Sequence, residues 1–316
     1  MSISINSQEN ANHNGLLNQA VPGWKYQFGF TQDPGVLFSE NVPETSRETR
    51  SKTYSITLRS GFKLTSQITV SLDYSFSDNM NFSSQTAGTM NKSVFLAYSK
   101  KKDPLTQRTM EKTIPFPGWS FQWRGMEKLP FLKKILKSAS ISHSFSGDEN
   151  TSWSDRKNNI TSLKIDKNFR PLIGLNFTTK NEISGNMQFN MTESVTDRNS
   201  GKSKQTSQTL TVTAKYSKRG GIKLPFMKGK KLDNNIDVSL NFSLNNNASY
   251  QSRIGDKYDK VSSTDNWTLK PNLSYTFSRT VTWGVYFEFG KRKDLRAGDS
   301  QITAFGINAN ISLAGN

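Results

Sequence analysis

The residues best suited to proton transfer or metal ligation in this 316-residue chain are two histidines, His13 and His143. They lie far apart, and with no cysteine the two imidazoles make no recognisable metal spacing. Serine is abundant, but it fills alternate positions of strand-like runs, so a Ser–His–Asp set has no local support. Neither a GxGxxG fingerprint nor a P-loop occurs. The carboxylates Glu127, Asp148 and Glu149 fall in stretches that read as connections, without an acid–base pairing. Triplets such as Asn176-Phe177-Thr178 follow from alternating polar residues and carry no further meaning. The expectation is a protein that is not an enzyme, with no catalytic residue, metal or cofactor. His143 reads as a strand residue near an interface.

The elements that carry these residues show one repeated pattern. In ITVSLDYSF (68–76), Ile68, Val70, Leu72, Tyr74 and Phe76 share one face, and Thr69, Ser71, Asp73 and Ser75 the other. The same alternation appears in 24–30 (Trp24, Tyr26, Phe28, Phe30), 53–64, 119–123, 139–145, 173–178, 183–191, 209–217, 236–244, 267–277, 281–289 and 305–313. About twelve strands follow, several longer than the five or six residues usual in soluble sheets. A tilted strand that crosses a bilayer needs about nine to eleven. The polar faces are mostly Ser, Thr, Asn, Gly and Gln, which suits a wet lumen. Pro115, Pro117, Pro171 and Pro271 read as rim positions, bulges or strand ends.

Composition supports this reading. Only 33% of residues are hydrophobic, yet 20 Phe, 9 Tyr and 6 Trp exclude a disordered chain. A transmembrane β-barrel reconciles these facts, because it needs only every second residue apolar. No run of about 18 apolar residues suggests a transmembrane helix. The formal charge of +17 is gathered in short clusters at 98–103, 132–137, 228–231 and 290–294. Basic rims facing anionic headgroups explain that placement better than nucleic acid, which is not an expected partner.

Connections read as sorted by side. Tight turns are expected at 64–67, 180–182 and 278–280, and longer polar loops at 31–50, 84–116, 146–157, 196–204, 253–260 and 291–300. That sorting is the outer-membrane pattern, with the tight turns periplasmic. VFLAYS (94–99) reads either as a strand extension or as loop. The near copies KLPFLK (128–133) and KLPFMK (223–228) stand on the tight-turn side. In 126–136, Leu129, Leu132, Ile135 and Leu136 fall at helical spacing, and Pro130 suits a first turn. Two short amphipathic helical connections lying along the periplasmic rim are expected, the alternative being plain strand connections whose apolar residues cap the barrel mouth. Trp119, Trp123, Trp267, Tyr275, Trp283 and Phe289 near the ends of apolar stripes suit an interfacial aromatic girdle. Residues 1–23 read as a polar, disordered or truncated segment, and 24–316 as the barrel region. The opening MSISINSQENANHNG has no signal-peptide pattern, so an outer-membrane placement implies a portion of a longer chain.

The run IPFPGWSFQWRGMEKLPFLKKILKSASISHSFS (114–146), with RPLIGLNFTTKN (170–181) and the array 267–313, resembles the C-terminal region of the SprA/Sov family. That family forms the outer-membrane translocon of the type 9 secretion system, associated with gliding motility and cell-surface proteins. The resemblance implies an all-β antiparallel barrel, here a C-terminal portion of a larger one, that exports folded protein cargo in a Gram-negative outer membrane. It implies lipid, secreted cargo, and porin-like and plug proteins as partners. It carries over only a structural rim motif: Trp119, Trp123, Gly125, Glu127, Lys128, Leu129, Pro130 and Phe131, with Lys223, Leu224, Pro225 and Phe226 in the second copy. A self-contained small barrel, porin or adhesin-like, and a soluble β-sandwich binding protein remain as alternatives.

Overall fold

Alternation fixes the side of a strand on which a residue sits, and the hydrogen-bond ladder fixes its neighbour. In a computed structural model, residues 1–14, 21–28, 30–31, 35–37, 48–82, 87–102, 109–154, 159–219, 222–223, 231–232, 234–252, 257–277 and 281–311 are described. For 48, 96–102, 109–112, 219, 222–223 and 231–232 this covers the backbone only. The first half of the chain gives β1 (Ser2–His13), β2 (Glu48–Lys63), β3 (Ile68–Phe82), β4 (Ala87–Lys102), β5 (Thr109–Pro115), β6 (Gly118–Arg124), β7 (Leu136–Ser154) and β8 (Asn159–Thr179). The second half gives β9 (Ile183–Arg198), β10 (Gly201–Arg219), β11 (Ile222–Lys223), β12 (Lys231–Leu232), β13 (Asn235–Ser252), β14 (Asp259–Thr276), β15 (Val281–Asp294) and β16 (Gly298–Ile311).

Among the described residues one antiparallel sheet of 14 strands results, and β11 pairs with β12 in a separate ladder. Its path holds twelve strands in the order β1-β2-β3-β4-β7-β8-β9-β10-β13-β14-β15-β16. The position between β3 and β7 is composite. Residues 87–93 of β4 fill its upper part, and β6 fills its lower part. Between the two pieces the chain leaves the wall as a β4–β5 hairpin, so residues 94–99 extend a strand. Among the described residues, β1 and β16 end the path and do not pair with each other.

Among the described residues the sheet has no second layer. The chain exposes 21356 Å², against about 13000 Å² for a compact monomer of this mass. Among the described residues only Ile165 and Val94 are large, fully buried side chains. Phe145 and Trp153 of β7, Leu163 and Ile165 of β8 and Val195 of β9 are buried, strung along neighbouring strands, with Ile165 paired to Val195. An all-β antiparallel fold is therefore established. A stacked pair of sheets, as in a soluble sandwich, is absent among the described residues.

Several expectations need correction. Residues 2–13 are not disordered: they form β1, whose Ile3 and Ile5 face Leu58 and Ile56 of β2, with Glu9 and Arg50 paired at 2.6 Å. The expected strand at 24–30 is instead a one-turn helix, Trp24–Gln27, closed by Phe28 N–H donating to Trp24 O at 3.0 Å. Among the described residues no ladder lies beside it, and alternation without a neighbour does not hold a strand. The next described strand begins at Glu48.

Loop sorting by length also fails in part. Strands run on into 146–157, 196–204 and 291–300, leaving only Asn199–Ser200 and 295–297 as turns at two of these sites. Both faces there are polar, so the sequence lacks alternation although the ladder continues. The first of the two helical connections is corrected as well. Residues 126–128 form a single 3-10 turn and Leu129 is extended (φ −64, ψ 138), because a residue before proline avoids the helical region. The β11–β12 ladder flanks the second copy, whose Leu224, Pro225, Phe226 and Lys223 side chain lie outside the described residues.

Candidate functional site

Register turns the alternation into rows that cross the sheet. One row joins Ile183, Tyr216, Val238, Leu273, Val285 and Ile307 over six strands. Another joins Leu175, Met187, Val212, Phe242, Leu269 and Phe289. Between them runs a polar row on the opposite face: Asn176, Asn186, Thr213, Asn241 and Lys270. The apolar rows stand in the open: Val238 is 38% exposed, Leu273 44% and Ile307 62%.

The apolar belt has a consistent height. It spans Ile68–Phe76 in β3, Ile183–Met191 in β9 and Trp267–Tyr275 in β14, nine residues each. At about 3.3 Å per residue, tilted, this matches the crossing length of a membrane strand. Above it, β10, β13 and β14 continue with polar residues on both faces, and Glu193 of β9 joins Lys167 of β8 (3.2 Å) and Lys204 of β10 (2.5 Å).

The aromatic residues fall at both ends of the belt. Tyr275 faces Trp283 at the lower end, beside the 278–280 connection, and Phe277 packs on both rings at 5.0 and 6.2 Å. Trp267 pairs with Lys291 at the upper end, and Phe289 faces Leu269 next to it. Trp119 and Trp123 separate. Trp123 sits low, between Ile68 and Ile141. Trp119 belongs to a cluster at the hairpin base, 4.5 Å from Phe145 and 5.8 Å from Phe95. Trp119 is thus at the end of β6 away from the rim motif.

The rim motif proper is a knot of backbone bonds. Gly125 adopts a left-handed conformation (φ 78) that glycine accepts readily. Its N–H donates to Ala139 O at 3.1 Å, and the Glu127 carboxylate accepts from Ala139 N–H at 2.9 Å. Arg124 N–H donates to Gln67 O, and Lys180 N–H to Ile135 O, both at 2.9 Å. Residues 124–135 therefore tie together the β2–β3, β6–β7 and β8–β9 turns. Lys128, Pro130 and Phe131 are exposed, and Leu129 is half-buried.

The polar face carries the charges that the sequence could not pair. Lys270 meets Glu288 at 2.8 Å, and Arg59 meets Asp73 at 3.5 Å. A hollow of about 680 Å³ runs along it, lined by Asn168, Thr192, Ser207, Asn247 and Thr264 among others. Asp148 and Glu149, expected in a connection, lie within β7. Glu149 is buried, with Lys92 at 2.8 Å and the Thr113 hydroxyl donating to it. Partners this distant in sequence leave no local signal.

His143 has a structural task. The β7–β8 pairing slips between Ser142 and Phe145, and the β8–β9 pairing between Phe169 and Ile173. His143 Nδ1 lies 2.7 Å from Leu172 O, and the Ser144 hydroxyl donates to Arg170 O at 2.6 Å. These side chains replace ladder bonds that the bulge interrupts. Among the described residues no three His, Asp or Glu side chains gather as a metal site.

A scan against protein-family models finds no match, and a search of curated proteins finds none.

Proposed function

We propose that this sheet is a membrane-spanning wall of an outer-membrane protein-conducting channel, part of a translocon-like barrel of the type 9 secretion kind. The observation that carries the membrane placement is the open apolar belt, nine residues tall and continuous from strand to strand. Lipid is the partner that covers such a surface without a second protein layer. The opposite face, with its small polar side chains and paired charges, suits passage of hydrated polypeptide. The translocon assignment rests on the resemblance carried by residues 114–146, 170–181 and 267–313. The outer edges of β1 and β16, without a ladder among the described residues, fit a wall that continues into further strands. In this reading the chain performs no chemistry and works with porin-like and plug proteins.

The test is the mass of the native polypeptide in a carbonate-washed outer-membrane fraction, detected with an antibody to SGDENTSWSDRK (146–157). A membrane band far above 35.6 kDa supports the translocon wall. A membrane band near that mass points to a self-contained small barrel. Signal only in the soluble fraction removes the membrane reading.

A further inference from the structure

The rim turn between β6 and β7 holds a concentration of cations that form no ion pair among the described residues, not even with the exposed Glu182 of the β8–β9 turn. Lys128, Lys133, Lys134 and Lys137 are exposed along residues 128–137, and Lys180 is exposed on the adjoining β8–β9 turn. The one carboxylate within the turn, Glu127, is committed to the Ala139 backbone. None of these five lysines forms an ion pair among the described residues.

Apolar side chains stand open beside them. Phe131 is 69% exposed and Ile135 60%. Among the described residues nothing covers either side chain. The turn is also held in place: Lys180 N–H donates to Ile135 O, and Leu136 N–H to Leu132 O at 2.8 Å. It continues directly into β7, whose Ala139 and Ile141 join the belt through Phe177 and Leu175. Fixed lysines next to open apolar side chains, at the edge of a bilayer-height belt, match the amphipathic chemistry of a phospholipid with a net negative headgroup.

We infer that residues 128–137 with Lys180 form a binding site for anionic glycerophospholipid in the leaflet at the short-turn side, the lysines meeting the phosphodiester and Phe131 and Ile135 entering the acyl boundary. This rests on the membrane reading above, and the experiment separates the two.

The full native chain is reconstituted into vesicles of phosphatidylcholine alone or with phosphatidylglycerol, and bound lipid is then read by native mass spectrometry after detergent extraction. Wild type is expected to retain phosphatidylglycerol over phosphatidylcholine, with the preference shrinking in high salt. Each lysine near an anionic surface is worth about fivefold, so K133Q/K134Q should lose about 25-fold of that preference, and K133R/K134R should keep it. Phe131→Ser with Ile135→Ser should weaken retention of both lipids. Failure of wild type to enter either vesicle overturns the membrane reading itself. Entry without preference for phosphatidylglycerol, or K133Q/K134Q entering normally with its preference intact, overturns this inference alone. Should K133Q/K134Q fail to enter, the wild-type lipid competition and its salt dependence decide.

Discussion

Glu127 and Ala139 are joined across the rim turn by a 2.9 Å hydrogen bond from backbone N–H to carboxylate. Ala139 is 6% exposed, and its carbonyl accepts from Gly125 N–H, so the turn satisfies both of its backbone groups. Glu127→Ala removes the acceptor and leaves a buried N–H unpaired, a cost of about 1–3 kcal/mol. Glu127→Gln keeps an acceptor and should recover most of it. The check is hydrogen exchange at the Ala139 amide in reconstituted protein. Protection there should fall in Glu127→Ala and stay near wild type in Glu127→Gln. Equal protection in all three would show that the carboxylate does not hold the turn.

Gly147 sits where the β4–β5 hairpin departs from the wall. A Cβ at this position would strike the Val94 carbonyl oxygen and come within 3.1 Å of Phe95 O. Val94 is fully buried, so its backbone has little room to yield. Gly147→Ala should cost about 1–3 kcal/mol through overpacking, concentrated in the hairpin. Gly61→Ala is the control, since its Cβ would meet nothing within 4 Å. Limited trypsin digestion should cut the 94–117 excursion faster in Gly147→Ala and at the wild-type rate in Gly61→Ala.

Much of the wall was legible because one rule, alternation, reports which residues share a face. Ile68–Phe76 and Trp267–Tyr275 declare their strands and their apolar sides without help from the rest of the chain. What alternation does not report is pairing. Residues 2–13 are polar, and they become a strand only because β2 offers a ladder with Leu58 and Ile56 in register. Residues 245–252 are polar on both faces, so their continuation as strand depends on neighbours. The composite column of β4 and β6 has no sequence signature at all, and neither has the contact between Gly147 and Val94. The rim motif was visible as a sequence run. Its role as a backbone knot was not, because the Glu127 partner lies on the next strand and Leu129 is held out of helix by Pro130.

The β15–β16 turn should be steady to acid until its carboxylate titrates. Asp294 accepts from Ala297 N–H, from the Arg292 guanidinium, from Arg296 N–H and from the Thr264 hydroxyl, at 2.8 to 3.0 Å. These donors, the Ala297 amide foremost, hold its carboxyl well below the usual carboxylate range. A depressed folded-state value contributes stability above the unfolded-state value of about 3.9 and loses it as pH falls toward the folded one. Amide exchange at Arg296 and Ala297, corrected for intrinsic pH dependence, should therefore be flat from pH 8 to about 5 and rise only in stronger acid. Asp294→Asn should show less protection at neutral pH and no acid-dependent rise. A wild-type transition centred near pH 5 would contradict the hydrogen-bond account.

The two faces of the sheet can be told apart by placing one charge on each. Leu240 lies mid-belt, 39% exposed, opposite Ala214 and Pro271. Thr213 is the immediate neighbour of Ala214 in β10 and belongs to the polar row with Asn186 and Asn241. The two sites are at the same height, so propensity and strand position are nearly matched. If lipid covers the apolar belt, Leu240→Arg should cost about 2–4 kcal/mol, as for arginine at a bilayer midplane, while Thr213→Arg in a wet lumen should cost far less. Folding into phosphatidylcholine vesicles, followed by urea titration of the heat-modifiable gel band, reads both. Comparable penalties for the two substitutions would mean that protein or water covers both faces alike. A larger penalty at Thr213 would invert the assignment and put lipid against the polar side, where Asn186 donates to Asn176 and Ser71 bonds Ser120.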